Sequence, residues 1–233
     1  MNVAHHDEDI GSAALVDLLE PYRPLHVRYA AEELICRKGT FAAGLQWIAQ
    51  GLVLETDRQD ENGSLEPPPD LLSTGDVLGV ELLVAGAEER HRTTCRALTE
   101  VSLIFLDRAS LDRALERDLQ LARVLVGHLA ARYVRSRRAR ASSSLAPASR
   151  LAAMLLELSP LCEAARGGAE SALPEAIDLR VLGQLCGLSP TRIRRLSAEV
   201  GGLRESSGRV VFRAETLRFG GSEPQSVSSI MER

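Results

Sequence analysis

"CGLSPTRIRRLSAEV", residues 186–200, decides how this chain reads. Asp178 is placed to cap a short helix that buries Leu182 and Leu185. Gly187 then permits the left-handed backbone of a tight turn. Ser189 caps a second helix and Pro190 takes its first position, where a missing N–H costs nothing. Ile193, Leu196 and Val200 fall on one face at helical spacing and are expected to pack inward. Thr191, Arg192, Arg194, Arg195 and Ala198 are left facing solvent. Helix, glycine turn and capped helix make a helix-turn-helix.

That motif is built to meet DNA. The exposed first turn of its second helix enters a major groove, where arginine reads guanine bidentately and also grips phosphate. Ser189, Thr191, Arg192, Arg194 and Arg195 are therefore the candidate contacts. The following "GLRESSGRVVFR" reads as a hairpin with Val210, Val211 and Phe212 on its second strand. Arg209 near its tip is a further phosphate contact, as in a wing. The charge distribution agrees. The net charge is −4, yet residues 1–106 carry eighteen acidic against eight basic side chains. Residues 132–150 hold six arginines and no acid, and residues 178–213 hold seven arginines against three acids. A chain basic only in its C-terminal third suggests one module for a polyanion joined to another that has a different task.

Working outward, residues 25–107 read as short strands rich in Val, Ile, Leu and Thr, with turn signals every eight to fourteen residues. Gly39, Gly44, Gly51, Gly75 and Gly79 mark the corners of a sandwich or barrel. Asn62-Gly63 signals a hairpin before an exposed proline run at 67–69. The pattern then turns helical from Ser110 to about Arg140. Leu115, Leu119, Ala122, Val126, Leu129 and Tyr133 are spaced 4-3-4-3-4, the seam of a coiled coil. Leu111, Leu121 and Leu125 form a second stripe that can pack on the strands, which leaves the first for a second subunit. One helix of about thirty residues would be roughly 45 Å long. "SSSLAPAS" (142–149) reads as a linker, followed by an amphipathic helix capped by Ser149. The boundaries expected are an N-terminal segment 1–24, a sensor domain 25–107, a dimerisation helix 108–141, a DNA-binding domain 145–220 and a tail 221–233.

These motifs, in this order, resemble the cyclic-AMP-receptor/FNR superfamily of bacterial transcription regulators. The resemblance rests on "RKGTFAAGLQWIAQG", "STGDVLGVELL", "RTTCRALTEVSLIFLDRASL" and "LGQLCGLSPTRIRRL", and it covers residues 25–218. It implies an α+β chain with an N-terminal cyclic-nucleotide-binding-like β-roll (a jelly roll), a long dimerisation helix and a C-terminal winged helix-turn-helix. It implies a cytoplasmic homodimer that binds double-stranded DNA at an inverted repeat, contacts RNA polymerase and takes a small-molecule effector at the β-roll. It also points to Arg195 as the base-reading arginine.

Departures from the family pattern leave the effector open. Members that bind cyclic AMP carry a glutamate right after the second glycine of the turn, whereas here Val80 follows Gly79 and the acid is Glu81. Their Arg-Ser pair for the cyclic phosphate is matched only loosely by Arg90, Arg92 and Thr93. Gly79, Glu81, Arg90, Arg92 and Thr93 are the candidate effector pocket, in which Arg92 and Thr93 would hold a phosphate. A haem-sensing branch offers a second effector, with His91, Cys95 and His128 as candidate axial ligands. The oxygen-sensing branch uses an N-terminal cysteine cluster, and residues 1–30 contain no cysteine, which argues against an iron–sulfur cluster. The four cysteines (Cys36, Cys95, Cys162, Cys186) form no CxxC pair and read as reduced, half-buried thiols, not metal ligands.

Other function classes find little support. GxSxG, HExxH, P-loop and GxGxxG motifs are missing, so no catalytic residue is assigned. "HHDED" (5–9) could chelate a metal but reads as a solvated tail. No apolar run approaches the length of a membrane span, and "MNVAHHDEDIG" lacks the order of a signal peptide. The alternative to a regulator is a ligand-binding sensor module, for cyclic nucleotide or haem, without a DNA-reading role; the arginine stripe at 192–195 argues against it.

Overall fold

The computed structural model describes residues 17–57, 68–83, 90–164, 170–200, 202–206, 208–214 and 217. The chain divides into two compact units, and the division falls inside one helix between Val134 and Arg135. The HHDED stretch, the Asn62-Gly63 turn and the tail 221–233 lie outside the described residues.

The first unit is a roll of two four-stranded antiparallel sheets. Its strands are β1 (Leu25–Tyr29), β2 (Leu34–Cys36), β3 (Gly44–Gln50), β4 (Val53–Thr56), β5 (Asp70–Leu72), β6 (Val77–Leu78), β7 (Thr94–Ala97) and β8 (Val101–Asp107). One sheet runs β1-β8-β3-β6 and the other β2-β7-β4-β5. Alternation places Leu45, Trp47, Ile104 and Leu106 in one buried cluster, and Ile48, Val53, Leu72, Val101 and Leu103 in another. Gly79, at φ +77, closes the turn after β6, and a Cβ there would stand 2.6 Å from the Gly44 carbonyl oxygen. Gly44 is not a corner; it opens β3 beneath Leu106, whose carbonyl oxygen would meet a Cβ at 2.3 Å.

The single long helix expected from residue 110 onward is two helices. Helix α1 (Arg108–Arg117) is capped by Asp107, whose Oδ1 accepts from the Ser110 N–H at 3.0 Å. Asp118 breaks the run in an extended conformation, and its Oδ1 accepts from the N–H groups of Gln120 and Leu121, starting α2 (Leu119–Ser143). Leu111, Leu121 and Leu125 are buried against the roll, as the second stripe requires.

The second unit holds α3 (Pro147–Leu158), α4 (Leu179–Cys186) and α5 (Pro190–Val200). Its sheet has the order β11-β12-β10-β9, from β9 (Glu163–Ala164), β10 (Ser171–Ala172), β11 (Arg204–Ser206) and β12 (Arg209–Phe212). Helix α3 starts two residues before the expected cap. Its N-cap is Ala146 with Pro147 following, and Ser149 is buried inside the first turn. Proline's fixed φ, not a serine hydroxyl, starts this helix.

Candidate DNA-binding face and β-roll interior

In the second unit the local geometry follows the reading of residues 178–200. Asp178 Oδ1 accepts from the Val181 N–H at 2.7 Å and caps α4. Gly187 adopts φ 62 and ψ 38, and the Leu188 N–H returns to the Gly183 carbonyl at 2.8 Å. Gly183 has no room for a side chain, because a Cβ would lie 2.5 Å from the Leu188 carbonyl oxygen. Ser189 Oγ accepts from the Arg192 N–H at 3.3 Å at the start of α5. Ile193, Leu196 and Val200 are buried, while Thr191, Arg192, Arg194, Arg195 and Ala198 are all exposed. The hairpin of β11 and β12 follows, with Val210, Val211 and Phe212 buried.

Two arginines have partners that sequence alone did not reveal. Arg194 Nη2 lies 3.5 Å from Glu205 Oε2 on β11. Arg209 does not stand free at a wing tip: its Nε and Nη2 donate to the Leu173 carbonyl at 3.1 and 3.0 Å. Its guanidinium ties β12 to the segment after β10.

In the β-roll, Glu81 is buried on a short 3-10 turn (Val80–Leu83). Its Oε1 accepts from the Arg92 N–H at 2.7 Å, and its Oε2 is buried with no hydrogen-bond partner among the described residues. The Arg92 side chain is exposed. Arg90 Nη1 donates to the Gly39 carbonyl at 2.8 Å. Thr93 Oγ1 donates to Glu55 Oε1 at 2.8 Å, and the other Glu55 oxygen pairs with Arg132 Nη2 of α2. Burial pushes the Glu55 carboxyl upward, and Arg132 pulls part of that shift back. A cyclic phosphate needs a cation and a hydroxyl aimed at one space. Here the Thr93 hydroxyl and the Arg132 guanidinium are engaged with Glu55, while Arg92 is exposed.

Of the candidate haem ligands, His91 and Cys95 are buried, and no group of three or more His, Cys, Asp or Glu side chains suited to a metal ion occurs among the described residues. His128 lies on α2, its Cε1 3.6 Å from where a Gly75 Cβ would be. Cys36, Cys95 and Cys186 are buried and Cys162 is half-buried, against the expectation of mostly half-buried thiols. Of the coiled-coil seam, Leu119, Val126 and Tyr133 are exposed at 65, 64 and 64%. Leu115 and Leu129 pack on the roll's own core, and Ala122 is half-buried.

Residues 26–118 match the family model of the cyclic nucleotide-binding domain. A search of curated proteins found no match. Among solved structures, the chain is similar to the c-di-GMP responsive global regulator CLP of Xanthomonas campestris (TM-score 0.69, 18% identity, 86% of this chain and 99% of that one). It is also similar to FixK2 from Bradyrhizobium japonicum (TM-score 0.65, 22% identity, 82% and 92%). A third is TTHA1359, a transcriptional regulator of the CRP/FNR family from Thermus thermophilus (TM-score 0.62, 22% identity, 81% and 93%). The architecture is thus that of these three structures, a β-roll carried on the same chain as a helix-turn-helix unit. The match to the cyclic nucleotide-binding domain model covers the β-roll and α1, and the fold of the whole chain is that of these three structures. Among the described residues, no helix is long and apolar enough to cross a membrane.

Proposed function

We propose that the protein is a sequence-specific DNA-binding regulator that acts as a homodimer on an inverted repeat. The observation that carries this reading is the face of α5: Thr191, Arg192, Arg194 and Arg195 are exposed at the capped start of a helix whose opposite face is buried. Such a face presents guanidinium groups to base edges and phosphates together. Leu119, Val126 and Tyr133, one heptad apart and exposed on α2, support pairing with a second copy. The two recognition helices of a dimer would then meet half-sites about 34 Å apart, one DNA turn. A signal at the β-roll shifts the population of α2 arrangements and so re-aims α5. RNA polymerase is the further partner, and the cytoplasm the compartment, that the family resemblance brings.

The test is selection from a random duplex pool with purified protein, followed by sequencing and sedimentation of the complex. An enriched inverted repeat bound by two chains per duplex is expected. Enrichment of no sequence, with binding that depends on salt alone, would reduce α5 to an electrostatic grip.

A further inference from the structure

The β-roll contains a cysteine pair that none of the readings above uses. Cys36 on β2 and Cys95 on β7 are register partners across two antiparallel strands, 59 positions apart in sequence, next to a register shift between Leu34 and Cys36. Directly opposed antiparallel residues have Cα atoms about 4.5 to 5.5 Å apart, inside the window of about 4.4–6.8 Å that a disulfide spans. Both side chains are buried in the same cluster of the roll. Both sulfurs converge on Thr93: Cys36 Sγ lies 3.9 Å from its carbonyl oxygen and Cys95 Sγ 4.0 Å from its hydroxyl. Cys36 is 8% exposed on the edge strand of its sheet, while Cys95 is sealed at 1%. His91, itself buried, neighbours Cys36: the imidazole pulls the Cys36 pKa down and Cys36 pushes that of His91 up.

We propose that Cys36 and Cys95 form a peroxide-reactive dithiol that closes to an intramolecular disulfide within the β-roll. Cys36 is the attacking sulfur, because it is the more accessible of the two and its thiolate is favoured by the neighbouring His91. The neighbouring Cys95 and His91 stabilise its thiolate and bring its pKa below that of an ordinary thiol. The same thiolate beside it, together with burial, keeps Cys95 protonated, and it raises the basicity of His91. The Cys36 thiolate attacks one oxygen of a hydroperoxide, the O–O bond breaks, and hydroxide or alkoxide leaves with the electron pair. Cys36 is then a sulfenic acid. Cys95 sulfur attacks the Cys36 sulfur, its proton passes to the departing hydroxyl, and water leaves as the S–S bond forms. The two thiols lose two electrons, which the peroxide accepts. Cys162 and Cys186 have no part in this, since burial pushes their thiols up to about 11 and about 12.

Cys95 is also the register partner of Glu55. The oxidation site therefore lies one strand from the carboxylate that holds Arg132.

The experiment is peroxide titration of the folded full chain, quenching by alkylation under denaturing conditions, and tryptic mapping. Before oxidation all four cysteines are alkylated; afterwards two are. The linked species expected joins peptide 29–37 (YAAEELICR) to peptide 93–96 (TTCR). Cys36→Ser should abolish the link and leave Cys95 alkylatable. Cys95→Ser should leave Cys36 as a sulfenic acid trapped by dimedone. At pH 6 an ordinary thiol of pKa near 8.5 is less than about 1% ionised, so loss of His91, one of the two groups that stabilise the thiolate, should slow oxidation severalfold in His91→Ala. Cys36 and Cys95 staying fully alkylatable while Cys162 or Cys186 is oxidised would overturn the proposal, as would a link that forms only in denaturant. None of these readouts depends on DNA binding.

Discussion

Arg132 on α2 and Glu55 on β4 form an ion pair across 77 positions of sequence, with side chains only 21 and 10% exposed. Arg132 Nη1 also donates to the Val77 carbonyl at 3.0 Å, and Thr93 donates to the second Glu55 oxygen. The guanidinium thus fastens α2 to both sheets of the roll.

Removing one partner leaves a buried charge uncompensated, which costs about 3–5 kcal/mol at fully buried pairs. Arg132 keeps a fifth of its side chain in water, so Arg132→Ala should cost about 2 kcal/mol, measured by urea unfolding. The double variant Arg132→Met/Glu55→Gln should recover much of the loss, since replacing both charges removes the orphan. Equal losses in the single and double variants would show that packing, not charge, holds this point.

Asp107 gives a pH dependence. Its bonds with Ser110 hold its carboxyl below the usual range. The native state therefore favours the ionised form: the cap's contribution is complete above the ordinary carboxylate pKa, about 3.9, and is lost as pH falls through the lowered native value. Asp107→Ala should cost about 1 kcal/mol at pH 7. Asp107→Asn should keep most of the cap and flatten the acid limb of the stability curve.

Assembly follows from exposure on α2. Leu119→Glu with Val126→Glu places like charges across a shared seam, and sedimentation should show monomers of unchanged thermal stability. Leu115→Glu should instead lower the melting temperature, because Leu115 packs on the roll's own core. A dimer that survived the first pair of substitutions would place the seam elsewhere.

The C-terminal motif was legible because its signals are local. Asp178, Gly187, Ser189 and the Ile193/Leu196/Val200 stripe each act within about four residues, where spacing alone specifies geometry. The order of sheet and helices was legible from turn spacing for the same reason. Asp118 was missed because its neighbours keep helical spacing, and only its cap bonds to Gln120 and Leu121 reveal the break. The roll interior was legible in outline only. Which of Arg90, Arg92 and Arg132 meets a carboxylate depends on pairings dozens of residues apart, as does the meeting of Cys36 with Cys95. The Arg209 bond to the Leu173 carbonyl is a further long-range pairing.

Arg194 and Glu205 make an exposed pair, with side chains 61 and 46% exposed, and such pairs contribute little to stability. Glu205→Gln should leave folding unchanged and strengthen binding to specific and scrambled duplexes alike, by removing a carboxylate that competes with phosphate for Arg194. Arg194→Ala should weaken both alike and reduce the salt slope by about one. Fluorescence anisotropy across a salt series reads both effects.

Arg195 should behave differently. Successive helix positions turn by about 100°, so Arg195 shares a face with Thr191 one turn earlier, and Arg194 is rotated toward the wing. Arg195 is exposed, and among the described residues no hydrogen bond or ion pair holds its guanidinium. Its planar fork can therefore take two acceptors of one guanine edge without first leaving a partner. Arg192 lies one turn before Arg195 on the neighbouring i, i+3 row and is also exposed, so we propose it as the second reader. Arg195→Ala should cost about 1–3 kcal/mol on the selected inverted repeat and little on scrambled DNA, and it should relax preference at a single base position in each half-site. Arg195→Lys should restore the salt slope but not the base preference, because an ammonium replaces the charge without the fork. Equal weakening of both duplexes by Arg195→Ala would assign base reading to Arg192 or Thr191 and leave Arg195 as a phosphate contact.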